Sequence, residues 1–235
     1  MNLILLFNDD FIDDHTVRLC ERRRAHVTDV HRAVCGDVLT VGLLNGKMGE
    51  GTVTEINERV LELEVILDQT APAPLPLTLI LALPRPKMLK RTLQTITAMG
   101  VKKLILLNSY RVEKSYWQTP ILNSEALTEQ LILGLEQAKD TQLPEVILQK
   151  RFKPFVEDEL PDLLTGSRAL VAHPNTSEAC PRALTCHTTL AIGPEGGFIP
   201  YEIEKLELAG FEAVHLGPRI LRVENAVPAL LARLF

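Results

Sequence analysis

Glycine, proline and charged side chains crowd into three short stretches near the carboxyl end of the 235-residue chain: LVAHPNTS at 170–177, AIGPEGGF at 191–198 and HLGPRILRVENA at 215–226. Each starts as an apolar run suited to a buried strand and then breaks into a loop. Successive strands thus deliver three unusual loops to one sheet edge, where α/β proteins bind ligands. Gly193, Gly196 and Gly197 permit positive φ and let backbone N–H and C=O groups approach a ligand closely. Taken alone, that turn reads equally well as a tight strand-to-helix connection. Arg219, Arg222 and Glu224 in the third stretch, and His173-Pro174 in the first, shift the balance to a ligand site. The turn lacks both the GxGxxG fingerprint and the lysine of a phosphate-binding loop, and no ribose-binding acid follows it, which disfavours a dinucleotide-dependent oxidoreductase.

The elements that must position these loops are legible in outline. Residues 77–83 (LTLILAL) form a continuous apolar run suited to a strand buried on both faces. Further strands are expected at 101–108, 146–149, 169–173, 190–193 and 213–217. Helices are expected at 88–100 and 125–139, from Pro200 to Gly210, and over 226–235, so the pattern is that of an α/β domain with a largely parallel sheet. Ahead of it, residues 3–7, 38–44, 51–56 and 60–67 are strand-like, and Asn45-Gly46 offers a hairpin turn. They predict a small β-barrel over residues 1–70. Between the two regions, APAPLP at 71–76 denies a central strand its backbone donors and reads as a stiff linker.

The chain carries 25 basic and 30 acidic side chains, a net of −5, which argues against a surface that coats nucleic acid throughout. Divided at the linker, residues 1–70 hold seven basic against thirteen acidic groups and the remainder is nearly neutral. Within the acidic part, Arg18, Arg22, Arg23, Arg24 and Arg32 face only Glu21 and Asp29, with His26 and His31 interspersed. Such a strip would grip phosphates in one docking pose, or else form a solvated helix face. Cys20, Cys35, Cys180 and Cys186 show neither CxxC spacing nor a matching histidine cluster, so no metal site or disulfide framework is expected and the thiols are read as buried and free. No run approaches the ~18 apolar residues of a membrane span, and the amino terminus has no basic leader, so no membrane association and a cytoplasmic location are expected.

IGPEGGF, then a helix, then GF-x3-HLGPRILR-x-E, preceded by a strand ending in His-Pro, resembles the catalytic domain of the RsmE-type 16S ribosomal RNA uracil-N3 methyltransferases. These are S-adenosyl-L-methionine-dependent SPOUT enzymes with a trefoil knot. HVTDVHR (26–32) and EQAKDTQLPEV (136–146) extend the similarity along the whole chain. The resemblance implies a PUA-like RNA-binding β-barrel over 1–70, a Pro-rich linker over 71–76 and a knotted α/β catalytic domain over 77–235. It also implies a homodimer acting on 16S rRNA of the small ribosomal subunit.

Carried over residue by residue, the resemblance assigns His173, Pro174, Ile192, Gly193, Pro194, Glu195, Gly196, Gly197, Leu216, Gly217, Ile220, Leu221 and Asn225 to the cofactor. Arg22, Arg23, Arg24, His26, Arg32, Arg85, Lys87 and Arg91 are assigned to RNA. Methylation at uracil N3 needs a proton acceptor and positive charge for the anion delocalised onto the flanking carbonyls. Arg222 is assigned to the uracil carbonyl or the neighbouring phosphate, and Glu224 to orienting Arg222 or accepting the proton. Glu195 either serves as the base or caps the following helix.

The chain departs from the family at several points. Val223 and Asn225 replace two threonines, Arg85-Pro86-Lys87 replaces a Lys-Gly pair, Ile199-Pro200 opens a helix without a Ser/Thr cap, and an arginine near the amino terminus is missing. Two other readings remain: a SPOUT-fold RNA-binding or ribosome-assembly protein without catalysis, and a SPOUT methyltransferase with another RNA target.

Overall fold

A computed structural model describes residues 2–57 and 59–235. The chain divides into two compact units, Met1–Ala73 with Leu131–Leu143, and Pro74–Gln130 with Pro144–Phe235.

In the first unit, β1 (Ile4–Leu6), β2 (Thr16–Leu19), the short α1 (Glu21–Ala25), β3 (Val38–Leu43), β4 (Met48–Ile56) and β5 (Leu61–Gln69) follow in order. The sheet runs β1-β3-β4-β5-β2, antiparallel except where β1 pairs with β3. It is a curled half-barrel, where a small β-barrel was expected; among the described residues its terminal strands, β1 and β2, are not paired to each other. Asn45 takes φ 57° in the β3–β4 hairpin, a left-handed conformation that asparagine tolerates. Alternation on β5 sends Leu61, Leu63 and Val65 into a core with Ile4, Leu6, Val17, Leu19, Val41 and Val53. On the other side of β1, Leu3 and Leu5 pack with Met48 and with Leu135 of the returning segment. Asn2 and Leu3 both donate their N–H groups to Glu136 C=O, each at 3.0 Å. Only Cys180 of the four free thiols is buried; Cys20, Cys35 and Cys186 are exposed, because each sits in a connection rather than on a core face.

In the second unit, β6 (Leu77–Ala82), α2 (Pro86–Ala98), β7 (Lys103–Leu107), α3 (Ser124–Ala138), β8 (Glu145–Gln149), β9 (Arg168–Ala172), β10 (Thr188–Ile192), α4 (Pro200–Leu208), β11 (Glu212–Val214) and α5 (Val223–Leu234) follow in order. The carboxyl-terminal part of α3 belongs to the first unit. All six strands are parallel, in the order β11-β9-β10-β6-β7-β8. Every residue of β6 is buried, as a run apolar but for Thr78 requires. From β6 the chain adds β7 and β8 on one side and then β9, β10 and β11 on the other, with β10 inserted between β6 and β9. A crevice at the carboxyl ends therefore opens where the order reverses. Among the described residues no helix is long and apolar enough to cross a membrane.

Candidate active site

The carboxyl ends of β9, β10 and β11 open into a cavity of about 350 Å³. His173 and Pro174 leave β9, Gly193 to Gly197 leave β10, and Leu216, Gly217, Ile220 and Leu221 follow β11; all lie on its wall with Ile192. Val223, Ala226 and Leu230, at i, i+3 and i+7 on α5, close it from one side. The wall is mostly apolar, while the glycine loops present backbone donors and acceptors.

The loop after β10 is held from three directions. A Cβ on Gly193 would lie 2.9 Å from the Phe198 backbone nitrogen, so the chain folds back on itself where only glycine fits. Gly197 takes φ 72° and donates to Pro194 C=O at 2.7 Å, closing the turn. From the loop after β7, the Arg111 guanidinium donates to Gly196 C=O. From the start of α2, the Arg85 N–H donates to Glu195 Oε1 at 3.1 Å. Glu202, 2% exposed, accepts from the Ile199 N–H at 3.0 Å and from the Tyr110 N–H at 2.7 Å. Glu202 thus caps α4, where no Ser/Thr precedes the helix, and ties its start to the β7 loop. Glu195 does not cap that helix; its carboxylate faces Arg85 instead.

In the loop after β11, the Gly217 N–H donates to His215 Nδ1 at 2.9 Å, which leaves the ring proton on Nε2. Ile220 lines the cavity and is still 82% exposed. Arg222 is the N-cap of α5, and its C=O accepts from the N–H groups of Asn225 and Ala226. Among the described residues Arg222 and Glu224 are not paired with each other, so Glu224 does not orient Arg222. Glu224 and Asn225 point away from the large cavity and line a smaller one beside α2, with Arg91. Asn225 is thereby separated from the residues with which the sequence grouped it. The two departures at Val223 and Asn225 fall on opposite faces of one helix.

The arginine strip is partly committed to the fold. Arg22 forms a two-point ion pair with Glu136, both contacts at 3.1 Å. Arg23, its side chain 17% exposed, binds both carboxylate oxygens of Asp10, at 2.7 Å to Oδ1, and also Leu5 C=O at 3.0 Å. With three of its five N–H donors engaged, Arg23 ties the half-barrel together and has less of its fork to offer a phosphate. His26 Nε2 is buried without a hydrogen-bond partner, and burial holds this imidazole below its ordinary pKa. That favours the neutral ring and weakens its case as a phosphate ligand. Arg24 reaches Asn57 C=O at 3.4 Å, and Arg32 is exposed at φ 54°. Arg85, Lys87 and Arg91 are exposed at the start and on the first turns of α2.

Sequence reasoning missed Glu202 and Arg111. Glu202 stands at the third helical position, half of a capping-box pattern whose other half is an isoleucine. Nothing local marks Arg111, whose partner lies 85 residues away.

Residues 71–235 match the RNA methyltransferase domain family. Along nearly its full length the chain is similar to ribosomal RNA small subunit methyltransferase E of Treponema pallidum (strain Nichols), 28% identical over 99% of this chain and 90% of that protein. It is also similar to ribosomal RNA small subunit methyltransferase E 1 of Borreliella burgdorferi, 22% identical over 97% of this chain and 95% of that one. Among solved structures, ribosomal RNA small subunit methyltransferase E from Neisseria gonorrhoeae bound to S-adenosyl methionine shares the fold, with a TM-score of 0.76. It is 23% identical and covers 98% of this chain and 95% of its own. With the all-parallel sheet and the loop-built cavity at its carboxyl edge inside the matched residues, the chain belongs to the RNA methyltransferase domain family.

Proposed function

We propose that this chain is a methyltransferase that uses S-adenosyl-L-methionine to methylate N3 of one specific uridine in 16S rRNA of the small ribosomal subunit. The observation that carries the reading is the apolar cavity built from three glycine- and proline-rich loops at the carboxyl edge of the sheet, in a chain of this family. Relatives named as small-subunit rRNA methyltransferases, matched along 90% and 95% of their length, support the substrate class.

The residues fit the cofactor. Ile192, Leu216, Ile220 and Leu221 offer an apolar slot to an adenine, and the Gly193–Gly197 and Gly217 backbones offer the donors and acceptors that a purine edge and a ribose need. When bound, S-adenosyl-L-methionine supplies an electrophilic methyl group on a sulfonium. The chain's own task is to replace the N3 proton by carbon. Glu224 accepts that proton, and Arg222 offers its forked donors to the oxygens of the target nucleotide, where negative charge develops.

The half-barrel, with Arg24 and Arg32, acts as a PUA-like RNA-binding module, while the loops after β9, β10 and β11 form the trefoil knot. The chain works as a homodimer in the cytoplasm. The test is to map N3-methyluridine in 16S rRNA from a strain lacking the gene, complemented with the wild type or with Arg222→Ala. The modification is expected to vanish in the deletion and return only with the wild type. Its persistence in the deletion refutes the reading.

A further inference from the structure

We infer that Tyr110 is a stacking platform for an unpaired base of the substrate rRNA, a neighbour of the uridine that is methylated. The inference rests on the uridine-methyltransferase reading and adds a recognition residue that lines neither cavity.

Tyr110 and Arg111 sit at the tip of a four-residue turn after β7, closed where the Val112 N–H donates to Ser109 C=O at 3.0 Å. Both ends of the turn are buried, Ser109 to 2% exposure and Val112 to 6%, whereas Tyr110 is 79% exposed. The backbone beneath the ring is fixed from two sides. The buried Glu202 carboxylate accepts the Tyr110 N–H at 2.7 Å, and the Arg111 guanidinium donates to Gly196 C=O. The Arg111 stem lies so close over Gly196 that a Cβ there would be 2.9 Å from its Cδ. These contacts immobilise the turn and leave its aromatic side chain in solvent. Among the described residues no second ring and no cation packs on that side chain.

A lone exposed apolar side chain is ordinary. This one differs in its pinned backbone and in its surroundings. Arg85 and Lys87 stand at the start of α2 and Lys114 follows the turn, and all three are exposed. Arg85 and Arg111 reach adjacent residues of the β10 loop, Glu195 and Gly196, so the two connections converge there. Cations beside an open aromatic face suit a single strand of RNA, in which phosphates and base faces alternate. Tyr110 is not part of the cavity wall, but its neighbour Arg111 holds Gly196, which is. The ring therefore suits a base beside the reacting one.

The chemistry of the reaction supplies a need for it. N3 lies on the Watson–Crick edge of uracil, so the target must be unpaired and drawn out of its stack before a methyl group can reach it. The adjacent base then loses a stacking partner. A tyrosine ring offered to its open face replaces that partner without reading its identity, and such contacts are worth about tenfold or more in binding when truncated to alanine. A turn fixed in advance also spares the cost of ordering the platform on binding.

The experiment uses the full chain, small-subunit particles from a strain lacking the gene, and radiolabelled S-adenosyl-L-methionine. It compares the wild type with Tyr110→Ala and Tyr110→Phe. Tyr110→Ala is expected to raise KM for the particle about tenfold and to leave the calorimetric Kd for the cofactor within about twofold. Tyr110→Phe keeps the ring and should restore KM to within about twofold of the wild type. Because stacking displaces no counterions, Tyr110→Ala should weaken particle binding by the same factor at every salt concentration, with an unchanged slope of log affinity against log salt. The exposed ring carries no core packing, so the urea midpoint read by Trp117 fluorescence should not move. An unchanged KM in Tyr110→Ala overturns the inference and leaves the methyltransferase reading intact. So does a phenylalanine variant as impaired as the alanine one, a flattened salt slope, a parallel loss of cofactor affinity or a shifted midpoint. A changed sedimentation coefficient in Tyr110→Ala also overturns it, by marking the ring as a contact between copies of the chain. A wild-type chain that methylates no uridine N3 brings down the underlying reading as well.

Discussion

Replacing Glu202 by alanine tests whether the β10 loop owes its shape to a latch that the sequence barely advertises. The carboxylate is 2% exposed and accepts two backbone N–H groups, from Ile199 at 3.0 Å and Tyr110 at 2.7 Å. Alanine leaves both donors without a partner. Orphaning a buried donor costs about 1–3 kcal/mol, and hydrogen bonds to a charged acceptor are at the strong end. Both donors are only partly buried, so water recovers some of this, and the expected loss is about 2–4 kcal/mol. Glu202→Gln keeps one acceptor oxygen and should lose about half as much.

Trp117, the single tryptophan of the chain, donates its ring N–H to Asn108 in the same β7 connection and reports on this unit directly. Urea unfolding followed by its fluorescence therefore isolates the local effect in a two-unit chain, where a global two-state fit would not be justified. Because the latch fixes the loop beside the cavity, cofactor affinity should fall about tenfold or more in Glu202→Ala, a loss of about 1.4 kcal/mol. An unchanged Trp117-monitored midpoint together with an unchanged cofactor Kd refutes the reasoning. Glutamine costing as much as alanine would show that the two N–H contacts are not what Glu202 supplies.

Arg22→Ala leaves Glu136, 2% exposed, without its partner, but Arg22 itself is 51% exposed; the first unit should lose about 1–3 kcal/mol by urea titration, less than for a fully buried pair. Arg23→Ala, from a more enclosed site, should cost about 3 kcal/mol, whereas Arg24→Ala with Arg32→Ala should leave stability within about 0.5 kcal/mol. On the proposed function that second pair should flatten the plot of log affinity for rRNA against log salt by about 1.4–1.8, with cofactor Kd unchanged, as titrations at several salt concentrations would show. Gly193→Ala pushes a methyl group to 2.9 Å from the Phe198 nitrogen, so the loop must shift; cofactor affinity should drop at least tenfold while circular dichroism stays native. His26 is held by burial below its ordinary value of 6.5, so the fold binds fewer protons than the unfolded chain. The first unit is then at full stability above pH 6.5 and loses it as pH falls through the lowered value, and His26→Phe should flatten that dependence between pH 7.5 and 5.

What the sequence revealed follows the range over which each feature is encoded. β6, β9 and β10 were legible because a strand covered on both faces is apolar along most of its length, and Gly193 after β10 because a close backbone approach admits nothing larger. β2 escaped: four residues following a run of aspartates carry too short an alternation to register, and they become a strand only by pairing with β5. The return of residues 131–143 to the first unit escaped for the same reason. The periodicity of α3 announces a helix, but not that Leu135 belongs to a core with Leu3 and Leu5. Charge was the least legible signal. A run of arginines looks alike whether it faces solvent or carboxylates, and the deciding partners, Asp10 and Glu136, lie 13 and 114 residues away.

That last point changes where RNA recognition should be sought. An arginine locked in a two-point ion pair contributes little to phosphate binding, because it must first give up its carboxylate. Removing Arg23, and largely Arg22, from the strip leaves the half-barrel a weaker cationic surface than its sequence suggests. In the second unit Lys87, Lys90, Arg91 and Arg222 are exposed at the starts of α2 and α5, and among the described residues none is paired with a carboxylate. The positive ends of two helices add to their field. On the proposed function, electrostatic capture is therefore concentrated beside the smaller cavity. On that reading charge draws the RNA to the end of α5 that carries Arg222 and Glu224, so capture and chemistry are set in one unit.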